Sequence, residues 1–250
     1  MKLSLQPGKL AAAIFAIALA VTAAAQAPGP NQTEWENETP YNLRLFYPND
    51  LKQADAAQVM SDGHLALFGI SGASDPKLAE ATRCLRPILL LTHPASPDAQ
   101  TKKTEPNPDG GTRVTITPAT TATLLLAELD VDCLTPEQQN KATNLLSDMA
   151  EIVDKVPGMT SIAKPSTYTI GYQTVHMSAA QGQPQASEAS APQPGQLFTM
   201  GISTNWNSHL LVWYFSSNSI ETLNRITKTT VRFGRAQAAP LYPVTIGSPQ

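Results

Sequence analysis

Three short stretches carry residue types that could do serine chemistry. Ser161-Ile162-Ala163-Lys164 has S-x-x-K spacing, Ser216-Ser217-Asn218 is S-x-N, and Lys228-Thr229-Thr230 approaches K-T-G. They follow one another in the order used by enzymes that pair a serine nucleophile with a lysine base. That chemistry needs the serine at the start of a helix, so that the lysine one turn on reaches its hydroxyl. Pro165 directly follows Lys164 and biases it away from helical geometry. The second and third stretches lie too close together to form separate walls of a cleft, and the third lacks its glycine. A further stretch, Gly69-Ile70-Ser71-Gly72, lacks the closing glycine of a nucleophile elbow. No catalytic residue is assigned.

Other chemistries find less. His64, His93, His176 and His209 are isolated, without H-x-x-x-H or H-E-x-x-H spacing. Asp130 and Asp132 stand two apart at an expected strand end, and Glu128 shares their face if the strand runs straight. The acidic calcium-loop pattern is absent, so the three are read as a solvated strand end and no metal is assigned. Neither a G-x-G-x-x-G nor a P-loop is present, and no cofactor is expected. Trp206 with Trp213-Tyr214-Phe215 could offer a stacking platform for sugars or other rings. Strand alternation puts Trp213 and Phe215 on one face and Tyr214 on the other, which core packing explains without a ligand.

The N-terminus points to export. Lys2 and Lys9 make a positive start, residues 10–22 are apolar and uncharged, and small residues follow at 23–27. This is the three-part pattern of a secretory signal peptide. Pro28 would obstruct cleavage after Ala27, so cleavage is expected after Ala25. The apolar run is shorter than the ~20 residues of a spanning helix. No cysteine adjoins the cleavage site for lipid attachment. Loss of Lys2 and Lys9 takes the formal charge from -3 to -5, which disfavours nucleic acid and anionic membrane surfaces as partners. Stable membrane insertion after cleavage is not expected. Cys84 and Cys133 are the two cysteines. An even count in an exported chain reads as a disulfide, and two buried small apolar side chains are the alternative. The bond would close a loop of about 50 residues, worth roughly 4 kcal/mol.

These residues need a frame. Residues 26–40 are polar and rich in proline, and are expected to be a flexible lead-in. Strands are expected at 42–47, 64–70, 88–91, 112–117, 123–131, 168–177 (interrupted at Gly171), 197–203, 210–215 and 231–233. Ser74-Asp75-Pro76 starts one helix, carrying Leu78, Ala81, Thr82 and Leu85 inward. Thr135-Pro136-Glu137-Gln138 is a capping box that starts a second, with Ala142, Leu145, Leu146, Met149, Val153 and Val156 on one face. Asn218-Ser219-Ile220-Glu221 caps a third. Residues 94–109 are expected to be a loop, 181–195 a flexible low-complexity loop, and 236–250 a loose tail. The fold class is α+β: a mostly antiparallel β-sheet covered by helices, in a single domain at 41–235 after a signal peptide at 1–25.

Phe46-Tyr47-Pro48, the glycine strand Ile170-Gly171-Tyr172-Gln173-Thr174 and the stretch at 197–233 resemble the Mog1/PsbP-like domains. The resemblance implies a binding or accessory role with no shared catalytic residues, and no site residue is carried over. The expected function is that of an exported noncatalytic binding or accessory protein, periplasmic or extracellular, whose partner is an envelope protein or a small ligand. The alternative is a secreted hydrolase with a dispersed active site. The export reading predicts that the mature chain begins at Gln26. N-terminal sequencing of exported protein checks this, and a start at Met1 contradicts it.

Overall fold

The structure, a computed structural model, describes residues 28–56, 81–93, 101–106, 112–117, 120–183, 196–233 and 236–237. The expected signal peptide, the strand at 64–70, the helix start at Ser74 and residues 184–195 of the expected loop lie outside these. Along the chain run β1 (Gln32–Asn37), β2 (Leu43–Pro48), β3 (Lys52–Ala54), β4 (Leu85–Thr92), β5 (Thr101–Pro106), β6 (Thr112–Thr117) and β7 (Ala122–Leu129). Helices α1 (Pro136–Gln139) and α2 (Ala142–Glu151) follow, then β8 (Met159–Ile170), β9 (Gln173–Gly182), β10 (Leu197–Trp206) and β11 (His209–Ser217). Helix α3 (Ile220–Thr230) and the short strands β12 (Arg232–Phe233) and β13 (Ala236–Gln237) are the last of the described elements.

Seven strands form the main sheet in the order β3-β4-β7-β11-β10-β9-β8. Every neighbouring pair is antiparallel. The molecule is therefore a sheet-dominated α+β fold. Its two inner strands explain the order. On β7, Leu124 and Leu126 enter one buried cluster, while Leu125, Ala127 and Leu129 enter another on the opposite face. On β11, Leu211, Trp213 and Phe215 go to the first cluster and Leu210, Val212 and Tyr214 to the second. A strand apolar on both faces must sit where both faces are covered. Leu43, Leu45 and Tyr47 of β2 and Leu223 and Ile226 of α3 line the first cluster, and Leu145, Leu146 and Met149 of α2 line the second.

Two prolines inside strands mark irregular register. Pro87 stands where the β4–β7 pairing shifts, and Pro165 lies within a shift between Ala163 and Ser166 on the edge strand β8. Each lacks an N–H for the ladder, and a bulge or an edge is where that lack does least harm.

Several expectations are corrected. Residues 32–37, expected in a flexible lead-in, form β1, which pairs with β2 and packs Trp35 against the core. The expected loop at 94–109 contains β5, paired with β6. The strand expected at 168–177 is a hairpin: Gly171 and Tyr172 turn the chain between β8 and β9, with Gly171 at φ 64°. Leu85 starts β4 instead of closing a helix. The helix expected from Thr135 to Val156 is broken at Asn140–Lys141 and tightens to a 3-10 turn at Ile152–Lys155, although its Thr135–Gln138 capping box forms. Gln181 and Gly182, placed in the flexible loop, belong to β9. Residues 232–233 pair with Ala236–Gln237 of the expected loose tail, outside the main sheet.

Cys84 and Cys133 are bonded, S–S 2.05 Å. The bond ties the start of β4 to the turn after β7, where Asp130 N–H also donates to Cys84 O at 2.8 Å. Helix α2 lies directly on the sheet. Tyr214 Oη donates to Met149 O at 2.8 Å and Ser203 Oγ to Leu146 O, so a carbonyl in the last turn of the helix and one in its middle accept from the sheet. Gly201 allows this approach, since a Cβ there would stand 2.2 Å from Ala150 O. Gly201→Ala is therefore expected to destabilise the protein by about 3 kcal/mol, the upper end of overpacking costs. Urea unfolding of the disulfide-bonded protein checks this, and an unchanged midpoint contradicts the close seating of α2.

Candidate functional site

At one end of the sheet the first apolar face gives way to polar and aromatic side chains. Register brings them into a row. Arg86 of β4 faces Glu128 of β7, and Glu128 faces Leu211 of β11, so His209 is its diagonal neighbour on that face. Trp206 of β10 faces His209 across the closing pair of the β10–β11 hairpin. Tyr172, at the tip of the β8–β9 hairpin, stands 6.2 Å from Trp206, ring centre to ring centre. Four strands and one hairpin tip thus contribute to one belt.

Glu128 organises the middle of the belt. Tyr41 Oη donates to its Oε2 at 2.8 Å, and His209 Nδ1 lies 2.7 Å from its Oε1. The His209 and Tyr41 rings meet edge to face at 4.9 Å. With Nδ1 engaged, Nε2 is the ring nitrogen left to meet a ligand, and the His209 side chain is 26% exposed. Tyr41 is held in turn by its carbonyl, which accepts from Trp206 Nε1 at 2.9 Å and Asn207 Nδ2 at 3.3 Å. Burial pushes the Tyr41 hydroxyl up to about 12, and its bond to the Glu128 carboxylate adds to the rise. Next to Glu128, Arg86 pairs with Asp130 at 2.5 Å.

The two hairpin tips set the outer end. Asn207 and Ser208 both have positive φ, 49° and 70°, as a two-residue turn matched to strand twist requires. Trp206 is therefore the last residue of β10 and not part of a longer connection. Phe233 packs behind it at 5.4 Å. Gln173 Nε2 donates to Asn205 O and Thr204 Oγ1, both at 2.6 Å, and ties the two tips together. Tyr172 is 69% exposed.

A second polar cluster forms at the opposite end of the same strands. Asp50 accepts from Arg225 through both oxygens, at 3.1 and 2.6 Å, and from His93 Nε2 at 3.1 Å. The Arg225 guanidinium, with help from His93, holds the Asp50 carboxyl down at about 2. This triad fastens α3 to the turn after β2 and to the end of β4.

The serine–lysine stretches do not assemble. Ser161 lies on strand β8, where its hydroxyl donates to Ala163 O at 2.9 Å. The register carries it through Ala180 and Thr199 to Ser216, three interstrand steps away. At about 4.8 Å per step that is roughly 14 Å. Ser217 Oγ donates to Thr121 O. The three carboxylates are also separated. β7 ends at Leu129, and Asp130 caps a 3-10 turn by accepting from Asp132 N–H, while Glu128 remains in the sheet. Among the described residues no group of three or more His, Cys, Asp or Glu is placed to hold a metal ion. Of the aromatic stretch, Trp213, Tyr214 and Phe215 are buried, leaving Trp206 at the surface, joined by Tyr172. Two histidines that looked isolated gain carboxylate partners 81 and 43 residues away, separations that no local motif reports.

The Tyr41 shift has a consequence for stability. Its proton is bound more tightly in the folded state than the ordinary value of 10.0 allows. The stabilisation is complete below pH 10 and is lost as pH rises to about 12. Melting temperature followed from pH 9 to 12.5 should fall more steeply for the native protein than for Tyr41→Phe, which cannot ionise. Parallel curves contradict the assigned environment.

No family model and no curated protein matches the chain. Among solved structures, the crystal structure of PA94, a protein of unknown function from Pseudomonas aeruginosa, is similar over 46% of this chain and 82% of that one. The identity is 9% and the TM-score 0.26, too slight a likeness to bear on fold or function.

Proposed function

We propose that the chain is an exported, noncatalytic binding or accessory protein, and that the belt from Arg86 to Tyr172 is where its partner docks. In this reading a signal peptide precedes one α+β domain whose sheet is covered by helices, working in the periplasm or outside the cell. The Cys84–Cys133 bond fits an oxidising compartment. Among the described residues no helix is long and apolar enough to cross a membrane, which says nothing of strands. The likeness of residues 41–233 to Mog1/PsbP-like domains points the same way. The partner is an envelope protein or a small ligand, and an acidic mature chain is poorly suited to nucleic acid.

One observation carries the reading: Tyr172, 69% exposed, stands beside a partly buried Trp206 at the end of a row whose charged members are already bonded within the protein. A large aromatic side chain in water next to fixed polar groups is the composition of a recognition surface. A secreted hydrolase is the second reading, and the His209–Glu128 pair favours it, because a carboxylate on Nδ1 orients a histidine for proton transfer at Nε2.

Chemical-shift mapping of the mature protein against a library of small polar fragments separates these readings. Resonances of Tyr172, Trp206 and His209 are expected to move together, and Tyr172→Ala is expected to cut the number of binding fragments. Shifts clustered away from the belt would overturn the proposal. Fragment turnover that ceases in His209→Gln would establish the hydrolase instead.

A further inference from the structure

We infer that the open edge of the main sheet pairs with the same edge of a second copy of this chain, β8 against β8, antiparallel and centred on Tyr168. This surface is distinct from the belt, and the inference does not depend on what the belt binds. The main sheet ends in β3 on one side and β8 on the other. β3 is three residues long, and so short an edge offers little to pair with. The first half of β8 is irregular, with register shifts between Ser161 and Ser166 and Pro165 inside them. From Ser166 to Ile170 it pairs with β9 residue for residue.

The turn fixes which groups of this regular half face outward. Gly171, at φ 64°, is the first central residue of a two-residue turn, as in a II′ hairpin. The flanking pair Ile170–Gln173 is then hydrogen-bonded, and by alternation so are Tyr168–Val175 and Ser166–Met177. Thr167 and Thr169 therefore direct their N–H and C=O groups away from β9. Thr167, Tyr168 and Thr169 are all exposed. Outside the sheet, no backbone hydrogen bond among the described residues involves either threonine. Open edges are ordinarily guarded by charged side chains or proline. From Ser166 to Val175 the chain has neither.

The residues of this edge select its occupant. Thr167-Tyr168-Thr169 reads the same in both directions, so an antiparallel copy sets like against like. Each threonine exchanges its outward N–H and C=O with a threonine opposite. Tyr168 meets Tyr168 at the non-hydrogen-bonded position between them, where side chains approach most closely. Each tyrosine is 40% exposed, beside the buried Ile170 and Val175, and the pair covers both. Threonine and aromatic pairs are favourable cross-strand neighbours. A slip of two residues either way would bring Pro165 or Gly171 into the pairing, so the register is set. The arrangement is a closed two-fold, and it sends the two β8–β9 tips to opposite ends. The edge is short, which makes the interface small and the dimer reversible.

Sedimentation velocity of the mature protein from micromolar to millimolar concentration tests this, with amide hydrogen exchange read at both ends of the range. The expected result is a reversible rise from the mass of one chain to that of two, with the Thr167 and Thr169 amides slowing as the dimer forms. Tyr168→Lys keeps every backbone donor but sets like charges face to face, and should raise the dissociation constant tenfold or more. Thr169→Pro removes an outward N–H and no bond to β9, and should do the same. Melting in dilute solution reports that each variant is folded. A monomer at every concentration would overturn the inference, and so would a dimer indifferent to both variants. Slow exchange of Thr167 and Thr169 in the dilute monomer would mean that another segment of this chain already covers the edge. Slowing produced only by an added Thr-Val decapeptide would give the edge to a foreign strand. Either of these results overturns the self-pairing.

Discussion

Two strands that are apolar on both faces, β7 and β11, constrain everything around them. A sheet covered above and below leaves polar side chains no place in its middle, because burial without a partner costs several kcal/mol. The polar residues of these strands are therefore pushed to the ends. At one end Glu128 and His209 collect Tyr41, Trp206 and Arg86. At the other, His93, Asp50 and Arg225 form a compact ion-paired cluster. The candidate site is what the core excludes, held where the core stops.

The two ends differ in what they leave available. In the Asp50 cluster both carboxylate oxygens go to Arg225 and one also to His93, so its charges are spent on one another although Asp50 and Arg225 are each 46% exposed. The Glu128 cluster is closed only on its inner side. Its carboxylate is satisfied by Tyr41 and His209, while the neighbouring Tyr172 ring is 69% exposed beside the partly buried Trp206. The exposed aromatic ring beside the Glu128 cluster is why that end is read as a surface for recognition and the Asp50 end as a structural clasp.

Legibility in the sequence followed the range of the interactions. The Thr135 capping box, the Ser219 cap and the two-faced strand β7 are local signals, and each was readable from a few residues. So was the cysteine pairing, since two cysteines leave one way to pair them. The turn at Gly171–Tyr172 was readable only as an interruption, because its two strands carry few large apolar residues to set a period. β1 and β5 were missed for a related reason: they are polar hairpin partners, and their strandedness comes from pairing with β2 and β6. The belt was illegible altogether. Glu128 stands 87 residues from Tyr41 and 81 from His209, and only the order of strands in the sheet makes them neighbours. The S-x-x-K stretch was legible too, since Pro165 told against a helical pair and the stretch lies on an extended edge strand.

The two-residue turn at Asn207–Ser208 joins Trp206 to His209 with nothing to spare. Side chains on a strand alternate between faces, so a shift of one residue exchanges the two sets. A single inserted or deleted residue between Trp206 and Leu211 would turn His209 from Glu128 toward the α2 side and send Leu210 to the water-facing end of the belt. Sequence change here is thus limited to substitution. The hairpin is a part of fixed length, and its lineage can alter this corner only by exchanging residue types at constant count.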